Sequence, residues 1–175
     1  MIVRQPRWPG DAEVLNSMNV GFSSDFVYQV TLSGFSISLE RQALSSPFVK
    51  TFRIPNLADE VKSADRAVVV EIGDELCGVA ALELEEWNHR AILRHLYVVE
   101  ARRRTGVGRG LFEAMLRNAR ELGARCLWVE TQNTNDPAIQ FYLKSRFRFC
   151  GLDDSLYEHV DSEQNECGIY FVQDL

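Results

Sequence analysis

The stretch that decides the fold of this chain is His95-Leu-Tyr-Val-Val-Glu-Ala-Arg-Arg-Arg-Thr-Gly-Val-Gly-Arg-Gly-Leu111. It starts with an apolar run at residues 96–99, passes through a basic loop with glycines at positions 106, 108 and 110, and enters an amphipathic pattern. A helix N-terminus carries about half a positive charge and several unpaired N–H groups, so this layout is typical of an anion site. The alternative for the stretch alone is a strand-loop-helix turn whose glycines serve geometry and whose arginines are solvated.

The composition predicts one globular domain over residues 1–175. Apolar residues make up 46% and charged residues 25% of the chain, which are ordinary values for a folded domain. The net charge of -6 disfavours a general affinity for nucleic acid or anionic membranes and suits a small cationic substrate. The four cysteines are widely spaced and no histidine stands at metal-ligand spacing, so we expect reduced thiols and no metal. We also expect a cytoplasmic protein, since the sequence shows no apolar run of export or membrane-spanning length.

Paired strands precede the opening stretch. Residues 26–32 and 35–39 alternate polar and apolar side chains around Ser33-Gly34, which predicts a hairpin. A second hairpin is predicted for residues 67–72 and 76–84 around Gly73-Asp74, because a two-residue turn with glycine first suits type II′ geometry. Residues 91–99 form a further strand after a turn at 87–89. Three consecutive antiparallel strands therefore lead into the stretch.

Two further segments before the stretch carry weaker patterns. Residues 11–18 predict a short helix capped by Asp11. Residues 45–64 show no dominant period and contain two prolines, which predicts a loop with one helical turn near 57–61. A loop of that length on a compact domain often covers a site.

The pattern after the stretch alternates helix and strand. Apolar residues recur at helical spacing up to Leu122, and Gly123 stands where a helix-ending glycine belongs. The short apolar run at 126–130 predicts a strand parallel to the preceding one. A polar loop, a helix from Pro137 to about Ser145 and two strands at 147–157 and 167–173 complete an α/β chain.

Two motifs identify a family. The P-loop pattern is absent and the dinucleotide fingerprint would need glycine where Leu111 stands, so neither ATP nor NAD is supported. The run Arg103-Arg-Thr-Gly-Val-Gly108 fits the pattern R/Q-x-x-G-x-G/A at a strand-to-helix turn, and Asn135-x-x-Ala-x-x-Phe-Tyr142 follows the next strand. Together they resemble the Gcn5-related N-acetyltransferase (GNAT) family, which binds acetyl-CoA. A wider resemblance to the streptothricin acetyltransferases runs through most of the chain, for example at Trp87-Asn88 and at Gly151-Leu-Asp153.

The resemblance implies a fold and a co-substrate. The fold is a mixed, mostly antiparallel sheet of about seven strands flanked by helices, with a V-shaped splay between residues 96–99 and 126–130. Acetyl-CoA lies in the splay, with its pyrophosphate on the glycine loop and its pantetheine along the strand, and no metal takes part. The residues to which the resemblance assigns cofactor contacts are Leu96, Tyr97, Val98, Arg103, Arg104, Thr105, Gly106, Val107, Gly108, Arg109, Asn135 and Tyr142.

The chemistry of amine acetylation requires a proton acceptor and a proton donor. By resemblance, Tyr142 protonates the departing thiolate, whereas a half-buried core tyrosine is the structural alternative. Glu130 is the candidate base by resemblance, Glu83 competes with it, and a water relay stays open. His95 is interpreted as a hydrogen-bonded core histidine rather than a base. Arg94 departs from the family, in which acidic or histidine side chains can occupy this strand position.

The sequence indicates fewer contact residues for the amine substrate than for acetyl-CoA. The streptothricin acetyltransferases acetylate an amino group on the β-lysine part of an antibiotic, and the resemblance points to Glu83, Trp87 and Asp153 as substrate contacts. The acidic side chains near the C-terminus either attract a cationic amine or form a solvated loop; they are Asp153, Asp154, Glu158, Asp161, Glu163 and Glu166. Direct transfer of the acetyl group from acetyl-CoA to the amine is expected, because the sequence indicates no nucleophile positioned to form an acyl-enzyme intermediate.

The alternatives for function are a protein N-terminal or lysyl acetyltransferase and a CoA-binding regulatory module without turnover. A homodimer is left open.

One further departure from the family is Arg146, which stands where a helix-ending glycine is usual and would cost roughly 1 kcal/mol in a left-handed backbone.

Overall fold

The computed structural model describes residues 1–51, 53–157 and 166–175. In chain order the elements are β1 (Ile2–Arg4), α1 (Ala12–Ser17), β2 (Phe22–Ser33), β3 (Ser36–Lys50), α2 (Leu57–Ser63), β4 (Arg66–Ile72), β5 (Glu75–Glu85), β6 (Arg90–Val98), a 3-10 turn (Glu100–Arg102), α3 (Val107–Glu121), β7 (Cys126–Gln132), α4 (Asp136–Lys144), β8 (Arg148–Asp153) and β9 (Gly168–Asp174). The larger sheet has seven strands in the order β1-β4-β5-β6-β7-β9-β8, and β2 pairs with β3 alone. The predicted mixed α/β sheet flanked by helices is confirmed.

The chain forms two compact units. The first consists of Met1–Val20, Thr51–Val129 and Asp174–Leu175, and the second consists of Gly21–Lys50 and Glu130–Gln173. That residues 1–175 form a single N-acetyltransferase domain stays a prediction.

The first unit is built on the antiparallel strands β4, β5 and β6. The predicted hairpin between β4 and β5 is confirmed, with Gly73 at a φ of 63°. Asp74 does not share that positive φ, which fits type II′ geometry and not type I′. Strand β1, which pairs with β4, could not be predicted from the sequence, because three residues are too few to show the alternation of polar and apolar side chains.

Helix α3 packs on this sheet and sets the position of the glycine loop. Val107, Leu111 and Met115 are fully buried on one face of the helix, as the helical spacing predicts. The helix lies close to β5 at Gly78, where an added Cβ would meet the Tyr97 carbonyl oxygen at 2.7 Å and the Leu111 side chain at 3.0 Å. Glycine at this position therefore fixes the start of α3 against the end of β6.

Strands β6 and β7 pair in parallel over three residues. The paired residues run from Arg90 with Cys126 to Ile92 with Trp128, so the predicted parallel neighbour is confirmed. The remaining residues of β6, 93–98, lie beyond this register. A register shift between Ala81 and Leu82 on β5 places Arg94 at a bulge in β6.

Helix α1 is confirmed, but its predicted cap is wrong. The Asp11 carboxylate makes no side-chain cap bond. It instead accepts two hydrogen bonds from the Arg4 guanidinium, at 2.7 and 3.0 Å, and one from the Arg7 backbone N–H at 2.7 Å. The bond from Arg4 is the main cause of the lowered pKa of Asp11. Tertiary pairing with β1 has replaced local capping here.

The second unit contains the β2–β3 hairpin. The predicted strands are confirmed around a turn at Gly34-Phe35, one residue later than expected. The loop predicted from residue 45 is wrong up to Lys50, because β3 continues to that residue. Pro47 lacks a backbone N–H, but it falls where the register shifts between Phe48 and Ala43, so no regular ladder bond is required of it. The helical turn predicted near residue 57 is confirmed as α2, in the first unit.

The second unit also contains α4, β8 and β9. Helix α4 begins at Asp136, one residue before the predicted start, and ends at Lys144. Arg146 adopts a φ of 69°, so the left-handed conformation considered for it is present. The strand predicted for 147–157 is too long: β8 ends at Asp153, whose carboxylate accepts bonds from the Ser155 N–H and hydroxyl at 2.9 and 2.8 Å and turns the chain.

Candidate active site

The glycine loop of the first unit ends in an uncapped helix. Gly106 precedes α3 with a φ of 94°, a conformation that L side chains rarely adopt, and it makes no side-chain cap bond. The first N–H groups of a helix have no acceptor within the helix, and glycine offers no side chain to cap those of this 15-residue helix. These features are those of an anion-binding helix start.

The arginines of the loop differ in what they contact. The Arg103 guanidinium donates to the Val98 carbonyl at 3.1 Å, which ties the loop to the end of β6. Arg109 forms an exposed pair with Glu113 at 2.8 Å. Arg104 is exposed and has a φ of 61°. Thr105 donates to the Arg102 carbonyl at 2.6 Å, which fixes the turn. Arg103 has a structural bond that the sequence does not reveal.

The predicted pantetheine strand lies at the end of β6. Leu96, Tyr97 and Val98 are half-buried and pair with Ala80, Val79 and Gly78 of β5. These residues belong to the part of β6 that lies beyond the register with β7.

His95 lies in the first unit and is buried, with 8% of its surface exposed. Its Nε2 atom lies 3.0 Å from the Glu60 carboxylate of α2, a partner that no sequence signal indicates. Its Nδ1 atom is buried and finds no hydrogen-bond partner within the part of the chain that the structure describes. Burial lowers the pKa of His95, while Glu60 acts against this shift. The imidazole is thus a core group with one of its two nitrogens bonded.

Two predicted acceptor contacts of the first unit are exposed. Glu83 pairs with Arg94 at 2.7 Å, and both side chains are more than two-fifths exposed. This pair explains how Arg94 is accommodated at the bulge of β6. Trp87 stands in the β5–β6 turn and is 84% exposed. An exposed and salt-bridged Glu83 is a weaker base candidate than a buried carboxylate.

Glu130 stands in a cluster of polar side chains in the second unit, which we call the Glu130 cluster: Glu130, Tyr157, Lys50, Glu166 and Thr134. The Tyr157 hydroxyl donates to Glu130 Oε1 at 2.7 Å. Lys50 pairs with Glu166 at 2.5 Å, and the Thr134 hydroxyl donates to the other Glu166 oxygen at 2.8 Å. The Lys50 ammonium lies 5.3 Å from the centre of the Tyr157 ring.

Burial sets the proton affinity of Glu130. Desolvation raises its pKa above the ordinary value, and the hydrogen bond from Tyr157 and the charge of Lys50 offset part of this rise. A carboxylate with a raised pKa accepts a proton more readily near neutral pH than an exposed one does. Of the two carboxylates proposed from sequence as the base, Glu83 is held in an ion pair with Arg94, whereas the Glu130 carboxylate accepts a hydrogen bond from a tyrosine hydroxyl.

Tyr142 and Asn135 lie on α4 and in the turn before it. The Tyr142 ring is buried against the rings of Phe147 and Phe171, with centroid distances of 5.4 and 6.0 Å. The Asn135 side-chain oxygen accepts a hydrogen bond from the Ala138 N–H at 3.2 Å and caps α4. Asn135 therefore has a structural use beside the cofactor contact predicted for it.

Asp153, the third predicted acceptor contact, mainly shapes the turn after β8. Its bonds to Ser155 lower its pKa, and its second oxygen lies 3.4 Å from the Tyr170 hydroxyl. Of the acidic side chains expected to attract a cation, Glu158, Asp161 and Glu163 lie outside the described residues. Glu166 lies in the Glu130 cluster.

Across residues 1–51, 53–157 and 166–175, no group of three His, Cys, Asp or Glu side chains could hold a metal ion. Over the same residues, no helix is long and apolar enough to cross a membrane.

Comparisons with known proteins agree with this geometry. The family model described as "Acetyltransferase (GNAT) family" matches residues 36–147. A streptothricin acetyltransferase from Streptomyces lavendulae is 35% identical over 162 residues, which cover 89% of this chain and 86% of that protein. The crystal structure of nourseothricin acetyltransferase superposes with a TM-score of 0.87 at 32% identity, over 99% of this chain and 97% of that one.

A second solved structure supports the fold. It is named for a streptothricin acetyltransferase from Bacillus anthracis str. Ames in complex with acetyl coenzyme A. It superposes with a TM-score of 0.82 at 21% identity and covers 99% of both chains.

Proposed function

The chain belongs to the GNAT acetyltransferase family, and from that premise we propose that it acetylates a primary amine of a small cationic substrate of the streptothricin type. The family makes it an acyltransferase that uses acetyl-CoA. The observation that carries the choice of substrate is the 35% identity to a streptothricin acetyltransferase over 89% of this chain. The half-buried carboxylate of Glu130, whose pKa is raised by desolvation, is compatible with it, because an amine needs a proton acceptor before it can attack.

The proposal assigns the binding of acetyl-CoA, the acetyl donor, to the glycine loop and the end of β6. The uncapped start of α3, with Gly106 and Gly108 beside it, receives the pyrophosphate, and Arg104 and Arg109 add positive charge. Leu96, Tyr97 and Val98 offer backbone groups to the pantetheine, and a backbone N–H of this strand end stabilises the developing oxyanion.

The proposal assigns proton transfer to two residues of the second unit. An ammonium substrate gives one proton to the Glu130 carboxylate, and the neutral nitrogen attacks the thioester carbonyl carbon. The new C–N bond forms as the C–S bond breaks, and the CoA thiolate takes a proton from the Tyr142 hydroxyl. The surplus proton on the new amide nitrogen passes through water to the Tyr142 phenolate, and Glu130 releases its proton to solvent, so that both groups return to their starting states. The two proton transfers need no covalent enzyme intermediate.

Incubation of the pure chain with acetyl-CoA and a panel of amines tests the substrate. We expect streptothricin to gain 42 Da, about the mass of one acetyl group less one hydrogen, by mass spectrometry, and free CoA thiol to appear in equal amount. A peptide panel with free N-termini and lysines is the comparison. Acetylated peptide without acetylated streptothricin would point to a protein acetyltransferase, and CoA binding without any product would point to a regulatory module.

Substitution of Gly108 tests the pyrophosphate site. Gly108→Val places a branched side chain in the first turn of α3, and we expect the dissociation constant for CoA to rise by about 10-fold or more, measured by calorimetry. Gly108→Ala is the matched variant, with an expected change below about 3-fold, since a methyl group occupies less of the space beside the phosphates. Equal CoA affinity in all three proteins, with unchanged melting temperatures, would mean that this loop does not hold the pyrophosphate.

A further inference from the structure

Lys50, the last residue of β3, contacts two members of the Glu130 cluster. Its ammonium group lies 2.5 Å from Oε2 of Glu166 and 5.3 Å from the centre of the Tyr157 ring. The Tyr157 hydroxyl in turn donates a hydrogen bond to Glu130 at 2.7 Å. The charges of Lys50 and Glu166 both act on Glu130. The proposed base therefore has a cation and a second carboxylate in its surroundings, and the cation also packs on the tyrosine that donates to it.

Hydrogen bonds fix the position of the Lys50–Glu166 ion pair. The Thr134 hydroxyl donates to Oε1 of Glu166 at 2.8 Å, so both oxygens of this carboxylate are engaged. The next residue, Cys167, donates its N–H to Oδ1 of Asn133 at 3.0 Å and accepts from the Asn133 N–H at 3.1 Å. The side chains of Lys50 and Glu166 are only 27% and 17% exposed, so solvent and salt screen their charges less than those of a surface pair.

Titratable side chains from three segments interact electrostatically with Glu130. They are Lys50 of β3, Tyr157 after β8, and Glu166, Cys167 and Tyr170 in or just before β9. Burial raises the pKa of Cys167 to about 11 and raises the pKa of Tyr170 above its ordinary value, so both groups are uncharged from acid to neutral pH. Among these side chains, Lys50 and Glu166 supply the charges that act on Glu130 in that range, and they act in opposite directions.

We propose that the Lys50–Glu166 ion pair sets the charge state of Glu130, with Lys50 as a positioning residue that keeps the base ionised and Glu166 as the group that limits this effect. The inference rests on the proposed function, in which Glu130 takes a proton from the substrate ammonium. Desolvation alone favours a protonated carboxyl group, which cannot act as a base, whereas a nearby ammonium favours the ionised form. Glu166 also neutralises Lys50, since an unpaired ammonium beside the base would repel a cationic amine.

Substitution of the two ends of the ion pair should shift the pH dependence in opposite directions. The measured quantity is the acid midpoint, the pH at which kcat/KM for the amine falls to half in acid. Lys50→Met removes the cation, so we expect the acid midpoint to rise by about 0.5 pH unit or more. Glu166→Gln removes the anion and leaves the cation, so the acid midpoint should fall by about the same amount, and KM for a cationic amine should rise by about 3-fold or more.

Two further variants separate charge from structure. Lys50→Arg keeps a cation that stays charged at every pH used, and we expect its acid midpoint to move by less than about 0.2 pH unit. The double variant Lys50→Met with Glu166→Gln removes both charges and leaves neither unpaired, so its acid midpoint should return close to that of the unaltered enzyme. A purely structural ion pair gives a different result, because both single variants break the same contact and would shift the acid midpoint in one direction or leave it unmoved.

Carbon-13 NMR titration of the glutamate carboxyl groups measures the charge state of Glu130 without turnover. Its signal is identified by its loss in Glu130→Gln, and its titration midpoint should rise in Lys50→Met and fall in Glu166→Gln. If Lys50→Met does not fold, the fall in Glu166→Gln decides alone. Midpoints that stay unmoved, or that move in the same direction, overturn the inference. Opposite shifts of the NMR midpoint with an unmoved acid midpoint of kcat/KM support it and contradict Glu130 as the base of the proposed function.

Discussion

Glu130→Gln lowers kcat/KM for the amine by about 100-fold or more and raises the thermal stability of the protein at neutral pH. The first effect is expected because glutamine cannot accept the proton of the ammonium substrate. The second follows from burial, since a desolvated carboxylate is costlier to hold than a neutral amide of the same shape. The Tyr157 hydroxyl can still donate to the amide oxygen, so the local hydrogen bond is retained.

The raised pKa of Glu130 gives both effects a pH dependence. The folded state binds this proton more tightly than the unfolded state does. The carboxyl group therefore contributes its full stability below its unfolded pKa near 4.5 and loses it as the pH rises through the raised folded value. The stability gained by the glutamine variant should shrink in acid. The catalytic rate of the unaltered enzyme should fall as the pH drops through the same raised value, because the base becomes protonated.

Glu83→Gln serves as the comparison, because Glu83 is exposed and paired with Arg94. We expect it to change kcat/KM by less than about 3-fold. Steady-state kinetics from acid to neutral pH and calorimetric melting distinguish the two variants. A loss of about 100-fold in the Glu83 variant, with little change in the Glu130 variant, would exchange the roles of the two carboxylates.

Local sequence patterns were sufficient to predict the strands and helices that flank the proposed site. The Gly73-Asp74 turn, the apolar spacing of α3 and the continuous apolar run of β7 each follow from short-range rules, and each is confirmed. The glycine loop could be identified for the same reason. Gly106 has a φ of 94°, which residues with a side chain rarely adopt, so a glycine at this position is itself a signal of the turn.

Long-range partners could not be predicted because nothing local specifies them. Glu130 and Tyr157 are 27 residues apart, and Lys50 and Glu166 are 116 residues apart, yet these contacts set the electrostatics of the proposed base. Asp11 looked like a helix cap and instead binds Arg4, because a guanidinium offers a stronger bond than the local N–H groups do. At the proposed site, the contacts that sequence reasoning missed are thus hydrogen bonds and ion pairs between separate elements.

Tyr142→Phe is expected to lower turnover by about 100-fold, because phenylalanine cannot protonate the departing thiolate. The ring packs against Phe147 and Phe171, and these contacts survive the change, so calorimetric melting serves to check that the variant is folded. Single-turnover measurements isolate the chemical step from CoA release. Tyr170→Phe is the matched control, since its hydroxyl lies 3.4 Å from the Asp153 carboxylate of the turn, and less than about 3-fold is expected from it. If the Tyr142 variant kept near-normal single-turnover rates, the thiolate would have to take its proton from water, and Tyr142 would be a packing residue.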